Sequence, residues 1–309
     1  DSLARDPAPA AIPDGSFYDP YRFGFFDDQI RVSTRTLALG GSPARQDAHR
    51  LLLALSWGGR GEWDSALVNL DRRVATGTDS VAAFAAYGVA AAGVWLGAVD
   101  PKEAAARRPA AAQAARDATG RADLAWLDGV LAAARRDRAG LAQARSALHD
   151  SGDPASGALD RSLGSFDDAL RGDTREAGKR MAALEWEEAA LSAPDFRGHP
   201  LVMPLDRAAA AGWLVQSGDA EQALRLLQWV DGPFFLHPGM IYGTMLQGLA
   251  DLERGRIEER LGHAELAVGY YRKFLARYDR PGPRHRALLE EARGRIRELS
   301  APGQPSATH

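Results

Sequence analysis

Cysteine is absent from this chain of 309 residues, and histidine is sparse, with seven residues. The absence of cysteine excludes disulfide frameworks, thiolate zinc sites and cysteine nucleophiles. It leaves the cellular compartment open, because a chain without cysteine folds equally well on either side of a membrane. None of the histidines falls in a metal-ligand spacing such as H-E-x-x-H. We therefore expect no bound metal and no cofactor.

The sequence also lacks an excess of charge of one sign. Lysine and arginine number 38 against 41 aspartate and glutamate residues, which gives a formal net charge of -3. Without a basic excess the chain has little to hold a phosphate backbone, so nucleic acid is not an expected partner. Lysines are confined to Lys102, Lys179 and Lys273. This preference for arginine, with abundant alanine and glycine, is typical of a GC-rich bacterial genome.

One uncharged run, residues 81–99, is about long enough to cross a bilayer. Most of it is alanine and glycine, which insert weakly, and it is flanked by Asp79 and Asp100 rather than by positive residues. We therefore expect a buried helix of the fold here, and no direct membrane span within the chain.

The N-terminal stretch DSLARDPAPAAIPDG lacks a basic region followed by an apolar one, and it lacks an initiator methionine. We interpret it as the cut end of a longer protein. The compartment stays open between the bacterial cytoplasm and the extracytoplasmic portion of a membrane-anchored protein.

Motifs of the common enzyme classes are missing. The sequence has no G-x-S-x-G elbow, no Walker phosphate loop and no dinucleotide fingerprint, and hardly any run has the pattern of a β-strand. We therefore expect a protein that is not an enzyme. The alternative that stays open is an active site inside an all-helical solenoid or toroid, with Glu187 or Glu188 working beside His199.

An internal repeat is what the sequence does contain. Four glycines are each followed, five positions later, by alanine and preceded, seven positions earlier, by a small residue. A glycine at the end of one helix supplies the positive φ that often ends it, and the small residues let two antiparallel helices approach closely. The glycines are Gly61, Gly172, Gly218 and Gly262, the alanines Ala66, Ala177, Ala223 and Ala267, and the small residues Ala54, Ser165, Ala211 and Gly255.

Two further units, with turns near Asp100 and Asp137, match more loosely. The pattern predicts an all-α fold, a right-handed α-solenoid of about six stacked helix-turn-helix hairpins. Its domains are an irregular, aromatic-rich cap or linker over residues 1–45, the solenoid with a capping helix over residues 46–299, and a disordered tail over residues 300–309.

The small-Gly-Ala-aromatic spacing resembles the tetratricopeptide repeat. Beyond the repeats, the stretch from HPLVMPLDRAAAAGWLVQSGDAEQALRLLQ to HRALLEEARGRIREL is similar to the C-terminal tetratricopeptide region of bacterial serine/threonine protein kinases and multidomain transcriptional regulators. The sequence contains no H-R-D loop, no D-F-G motif and no glycine-rich kinase loop. The resemblance implies a non-catalytic regulatory region, with a kinase or regulator domain covalently linked upstream.

Such solenoids bind extended or helical peptide segments in a concave groove lined by their first helices. In the tetratricopeptide alignment the groove-facing positions are Arg207, Gln216, Arg256, Glu259 and Arg260. We expect the arginines to pair with carboxylates of a protein or peptide partner, so that the chain serves as an interaction, sensor or scaffold module in signalling.

The N-terminal aromatic residues allow two interpretations. They either pack as an irregular cap over the first hairpin or form a contact patch through which a structural scaffold self-associates. The residues concerned are Phe17, Tyr18, Tyr21, Phe23, Phe25 and Phe26.

Overall fold

The computed structural model describes residues 26–76, 81–184, 201–231 and 238–301. These residues form fourteen α-helices and no β-strand, and neighbouring helices pack in pairs. This confirms the all-α, solenoid-like fold, while the handedness of the superhelix stays a prediction. The helices are α1 (Phe26–Leu39), α2 (Pro43–Gly59), α3 (Trp63–Thr76), α4 (Val81–Trp95), α5 (Pro101–Ala114), α6 (Ala118–Ala134), α7 (Arg138–Ser151), α8 (Ser156–Leu170), α9 (Thr174–Ala182), α10 (Val202–Gln216), α11 (Ala220–Leu226), α12 (Gln247–Arg260), α13 (Ala264–Arg277) and α14 (Arg286–Leu299).

Six hairpins, α2/α3, α4/α5, α6/α7, α8/α9, α10/α11 and α12/α13, turn where the repeat predicts. Each turn contains one residue with positive φ: Gly61, Gly97, Arg136, Gly172, Gly218 and Gly262. In five turns that residue is glycine, which takes this conformation without a steric cost. The unit that matches the repeat loosely near Asp137 uses Arg136 instead, with φ of 57°.

The α8/α9 turn shows why the chain reverses at these points. The amide of Gly172 donates to the carbonyl of Ala169 at 3.0 Å, and the amide of Asp173 donates to that of Asp168 at 3.0 Å. The Asp173 carboxylate then accepts a hydrogen bond from the backbone amide of Glu176 and caps α9. Such caps satisfy helix-end groups that otherwise lack partners.

The small residues of the repeat lie where two helices meet. Ala54 and Ala66 are both fully buried. At Gly255 a methyl group would lie 2.8 Å from the ring of Tyr271, so the absence of a side chain lets the two helices of the α12/α13 hairpin come together. The predicted reason for the spacing is therefore visible in the packing.

The N-terminal part differs from the predicted irregular cap, because residues 26–39 form the regular helix α1, which packs on α2. Its buried side includes Phe26 and Ser33 with Gln29 and Ile30 half-buried. Polar residues on that side weaken the apolar periodicity by which a helix is recognised in a sequence. Residues 1–25 and 302–309 of the predicted cap and tail lie outside the described residues.

Residues 81–95 of the uncharged run form α4, which is buried among α3, α5 and α6, and residues 96–99 belong to the α4/α5 turn. In the described ranges, no helix combines the length and the apolar character that a membrane span requires.

Aromatic side chains of the first helices of three hairpins meet in one cluster. Trp95 of α4 and Phe166 of α8 meet edge to face with ring centroids 4.7 Å apart, and Phe166 and Trp213 of α10 do so at 5.3 Å. Edge-to-face contact is a favourable arrangement of aromatic rings. Helices that are far apart in sequence therefore converge on one aromatic cluster.

The array also closes on itself. The segment between α13 and α14, residues 278–285, lies against the α2/α3 turn, and we call it the strap. The amide of Arg280 donates to the carbonyl of Arg60 at 3.0 Å, and the amide of Gly282 donates to that of Gly61 at 3.1 Å. Arg60 Nε donates to Asp279 Oδ1 at 2.7 Å, across 219 positions of sequence.

Candidate functional site

A chain of hydrogen bonds fixes the strap on the first two hairpins. Trp63 Nε1 donates to the Tyr278 hydroxyl at 2.8 Å, and that hydroxyl lies 2.8 Å from His285 Nδ1. His285 Nε2 lies 3.0 Å from the carbonyl oxygen of Leu96, which only accepts. The proton of His285 therefore lies on Nε2, and Tyr278 donates to Nδ1.

Burial favours the uncharged forms of His285 and Tyr278 in this chain of hydrogen bonds. Burial lowers the pKa of His285, and the hydrogen bond to the Leu96 carbonyl only partly opposes that change. Burial raises the pKa of Tyr278, and the hydrogen bond from Trp63 opposes that change. Both ring nitrogens of His285 have partners, so the arrangement holds the strap in place and offers no free base.

Arg284 adds an exposed contact beside this buried one. Its Nη2 lies 2.7 Å from Asp100 Oδ2, and the side chains of the pair are 51% and 43% exposed. Asp100 is also the cap of α5, since its carboxylate accepts from the amide of Lys102 at 3.0 Å. The strap therefore contacts the α4/α5 turn through both His285 and Arg284.

A cavity of about 620 Å³ lies on one side of the strap. Its floor is apolar and its polar lining includes three arginines, so we call it the arginine cavity. This volume is in the usual range for a ligand site. It is lined by Leu96, Gly97, Ala208, Gly212, Val215, Gln216, Leu227, Leu246, Leu249, Ala250, Leu252, Glu253, Arg256, Arg260, Arg284, His285 and Leu288.

The structure brings three of the five predicted groove residues together in this cavity: Gln216, Arg256 and Arg260. Arg207 is half-buried and is not among the lining residues. Glu259 is turned toward the last helices instead, where it accepts from the Tyr271 hydroxyl at 2.8 Å and from Arg295 Nε at 3.0 Å.

Arg256 is held by carboxylates of its own chain. Its Nε and Nη2 each donate to Glu291 at 2.7 Å, and its Nη1 donates to Glu253 at 3.1 Å. Burial works against the charge on Arg256, but the hydrogen bonds and ion pairs with these two carboxylates outweigh it and raise its pKa. Its guanidinium therefore ties α12 to α14.

Arg260 and Gln216 are different, because both side chains are exposed at the mouth of the cavity. Within the described part of the chain, Arg260 makes one long hydrogen bond, of 3.5 Å, from Nη1 to the carbonyl of Val215. Arg260 as a residue is exposed, and an exposed guanidinium is suited to a carboxylate of a ligand.

A second cavity, of about 880 Å³, lies between the strap and the first two hairpins, and Arg284 and His285 line both cavities. The hairpins contribute four carboxylates and one arginine to its lining, and the C-terminal segment contributes three arginines: Glu62, Asp64, Asp100, Glu103 and Arg107, and Arg280, Arg284 and Arg286. Sequence reasoning missed the strap and this cavity. The stretch YDRPGPRHR marks a break between helices, but nothing in it states which distant turn it contacts.

Phe26 follows the first of the two interpretations of the aromatic residues, packing on the first hairpin, because it is 2% exposed and its ring lies against Gly59 of α2. It is part of the core and is not available to a partner. The other aromatic residues of this set, Phe17, Tyr18, Tyr21, Phe23 and Phe25, lie outside the described residues, as do Glu187, Glu188 and His199 of the alternative active site.

Among the residues whose positions are given, no group of three or more histidine, aspartate or glutamate side chains is arranged to hold a metal ion. No family model matches the chain, and comparisons with curated proteins and with solved structures find no match. The resemblance to tetratricopeptide repeat proteins therefore stays a prediction from the sequence.

Proposed function

We propose that this chain is a binding module that holds an acidic segment of a partner protein in the arginine cavity. The observation that carries the proposal is that Arg260 and Gln216 are exposed residues, that both line a cavity with several leucines, and that Arg260 makes a single long hydrogen bond. Carboxylates of the partner pair with the arginine, and apolar side chains cover the leucines.

The remaining polar groups of the cavity favour binding over chemistry. His285 has partners at both ring nitrogens, and Glu253 is paired with Arg256 at 3.1 Å. A general base needs a free position within reach of a substrate proton. These groups therefore support a site that positions a ligand without a bond-making step.

A role for this binding module within a larger protein is suggested by the sequence resemblance and not by the cavity. We propose that the chain is a tetratricopeptide-type regulatory region of a larger bacterial signalling protein, in which a kinase or regulator domain is covalently linked upstream.

A capture experiment with matched charge reversals tests the binding proposal. The protein, its Arg260→Glu variant and its Arg272→Glu variant are used as bait, and captured proteins are identified by mass spectrometry. Arg272 is an exposed arginine of α13 that lines neither cavity, so it matches the change in charge. We expect a partner that is retained by Arg272→Glu and lost by Arg260→Glu, and whose binding maps to an acidic segment. Equal capture by both variants would contradict the proposal.

A further inference from the structure

Arg284 lies between the two cavities and lines both of them. Its partner, Asp100, lines the second cavity but not the arginine cavity. The ion pair between them therefore crosses from the wall of the arginine cavity to a carboxylate outside it. An acidic ligand in the arginine cavity would meet Arg284 from the opposite side.

Of the two cavity arginines that are paired with carboxylates, Arg284 is easier to release than Arg256. Both side chains are about half exposed, and one nitrogen of Arg284 is engaged, at 2.7 Å. Exposed ion pairs of this kind contribute little to stability because water and salt screen them. By contrast, Arg256 makes three hydrogen bonds to two carboxylates and is not readily released.

The rest of the strap does not depend on this pair. His285 is bonded to Leu96 and Tyr278, and Asp279 is bonded to Arg60, so the strap stays anchored when Arg284 turns away from Asp100. Release of Arg284 therefore needs a movement of one exposed side chain and no opening of the array.

We infer that Asp100 is an internal competitor for the ligand of the arginine cavity. An acidic segment binds Arg260 first, and a second carboxylate of that segment then takes Arg284 from Asp100. Asp100 thereby sets a threshold of negative charge, since a segment with a single carboxylate gains too little to displace it. This inference rests on the proposed function, because it assigns a residue that selects the acidic partner.

The test uses fluorescence anisotropy with a series of short fluorescein-labelled peptides that combine leucine with two glutamates at different spacings. Each has a matched peptide with glutamine in place of glutamate. We expect Asp100→Asn to raise the affinity for the best acidic peptide by about two- to fivefold, because an exposed competing ion pair is removed. Asparagine remains a good helix cap, so α5 still begins at the same place.

The decisive comparison is a double-mutant cycle. Arg284→Gln is expected to weaken binding, and Asp100→Asn is expected to have no further effect in the Arg284→Gln background, because its gain acts through Arg284. Asp137→Asn is the matched control. It makes the same substitution at the cap of α7, which lines neither cavity, and we expect unchanged affinity.

The outcomes separate this inference from the proposed function. If the acidic peptides bind in preference to their glutamine counterparts but Asp100→Asn leaves the affinity unchanged, the competitor role is wrong and the proposed function stands. The same holds if Asp100→Asn raises affinity equally with and without Arg284. If no peptide binds, or if acidic and glutamine peptides bind equally, both are overturned.

Discussion

The turns at Gly61 and Gly172 share the repeat spacing, but they have different surroundings. Their φ angles are 92° and 93°, and each follows an arginine and ends the first helix of a hairpin. A methyl group on Gly61 would lie 2.6 Å from the Tyr278 ring and 2.9 Å from the Cα of Pro281, whereas no described atom lies within 4 Å of such a group on Gly172. The same local motif therefore packs against the strap at Gly61 and has no such neighbour at Gly172.

Alanine at the two glycines is expected to give the largest effect. Gly172→Ala places a side chain at positive φ and should lower the free energy of unfolding by about 1 to 2 kcal/mol. Gly61→Ala adds a clash with Tyr278 and with the backbone of Pro281, and overpacking of this kind costs about 1 to 3 kcal/mol more. Chemical denaturation of the two variants measures the difference. Equal destabilisation would mean that the strap does not pack on the first turn.

The arginines that precede these glycines form a second matched pair. Arg60 is 4% exposed and is bonded to Asp279 and Asp27, whereas Arg171 is 54% exposed and pairs with Asp167 of its own helix. Arg60→Ala should lower the free energy of unfolding by about 2 to 3 kcal/mol, since a buried arginine loses its hydrogen bonds to two carboxylates. Arg171→Ala should lower it by less than about 0.5 kcal/mol. Thermal unfolding of the two variants side by side is the measurement, and an effect of Arg171→Ala as large as that of Arg60→Ala would contradict this contrast.

Acid should weaken the strap through His285. Because its pKa is lowered in the folded state, the unfolded chain takes up a proton first as the pH falls below about 6.5. The stability that the neutral ring contributes is present above that pH and is lost as the pH falls toward the folded pKa. Burial and the nearby Arg45 lower the pKa of His49 as well, so the protein keeps some acid sensitivity without His285.

The variant His285→Gln isolates the contribution of the strap, because a glutamine amide still donates to the Leu96 carbonyl but does not titrate. We expect its free energy of unfolding to fall less between pH 7 and pH 5 than that of the unmodified protein. An identical pH profile for both proteins would assign the acid sensitivity to other groups.

A small effect is also expected from Arg284→Gln. The pair with Asp100 is exposed on both sides, so its loss should change the free energy of unfolding by less than about 1 kcal/mol. Denaturant titration measures this. A loss as large as that of Arg60→Ala would mean that Arg284 anchors the strap and is not free to change partners.

The hairpin turns and the pairing of adjacent helices could be predicted from the sequence, because they depend on contacts between neighbouring helices. The spacing around Gly172 and Gly218 is local, and each hairpin packs on the next, so the turns and helix pairs can be derived from periodicity. The tetratricopeptide alignment also named Arg256 and Arg260, which line the arginine cavity, and Glu259, which contacts Tyr271 and Arg295 instead. Their part in binding a partner stays a prediction.

Closure of the array was not predictable in this way. It depends on contacts such as that of Arg60 with Asp279, 219 positions away. A repeat pattern records what each unit buries against its neighbours and contains no information about the two ends. The cavity residues Arg284 and His285 were missed for the same reason, because their position follows from closure.

The strap closes the array by joining the C-terminal segment to the first hairpin. The distance between the first hairpin and the last helix tests this closure most directly. The chain has no cysteine, so spin labels on Asp64→Cys and Arg286→Cys are unambiguous, and both residues are exposed and line the second cavity. We expect electron spin resonance to give a single short distance that lengthens in urea. Six hairpins stacked in an open solenoid would separate the ends by about 50 Å, at roughly 10 Å per step, and a distance of that size in the folded protein would contradict the closed arrangement.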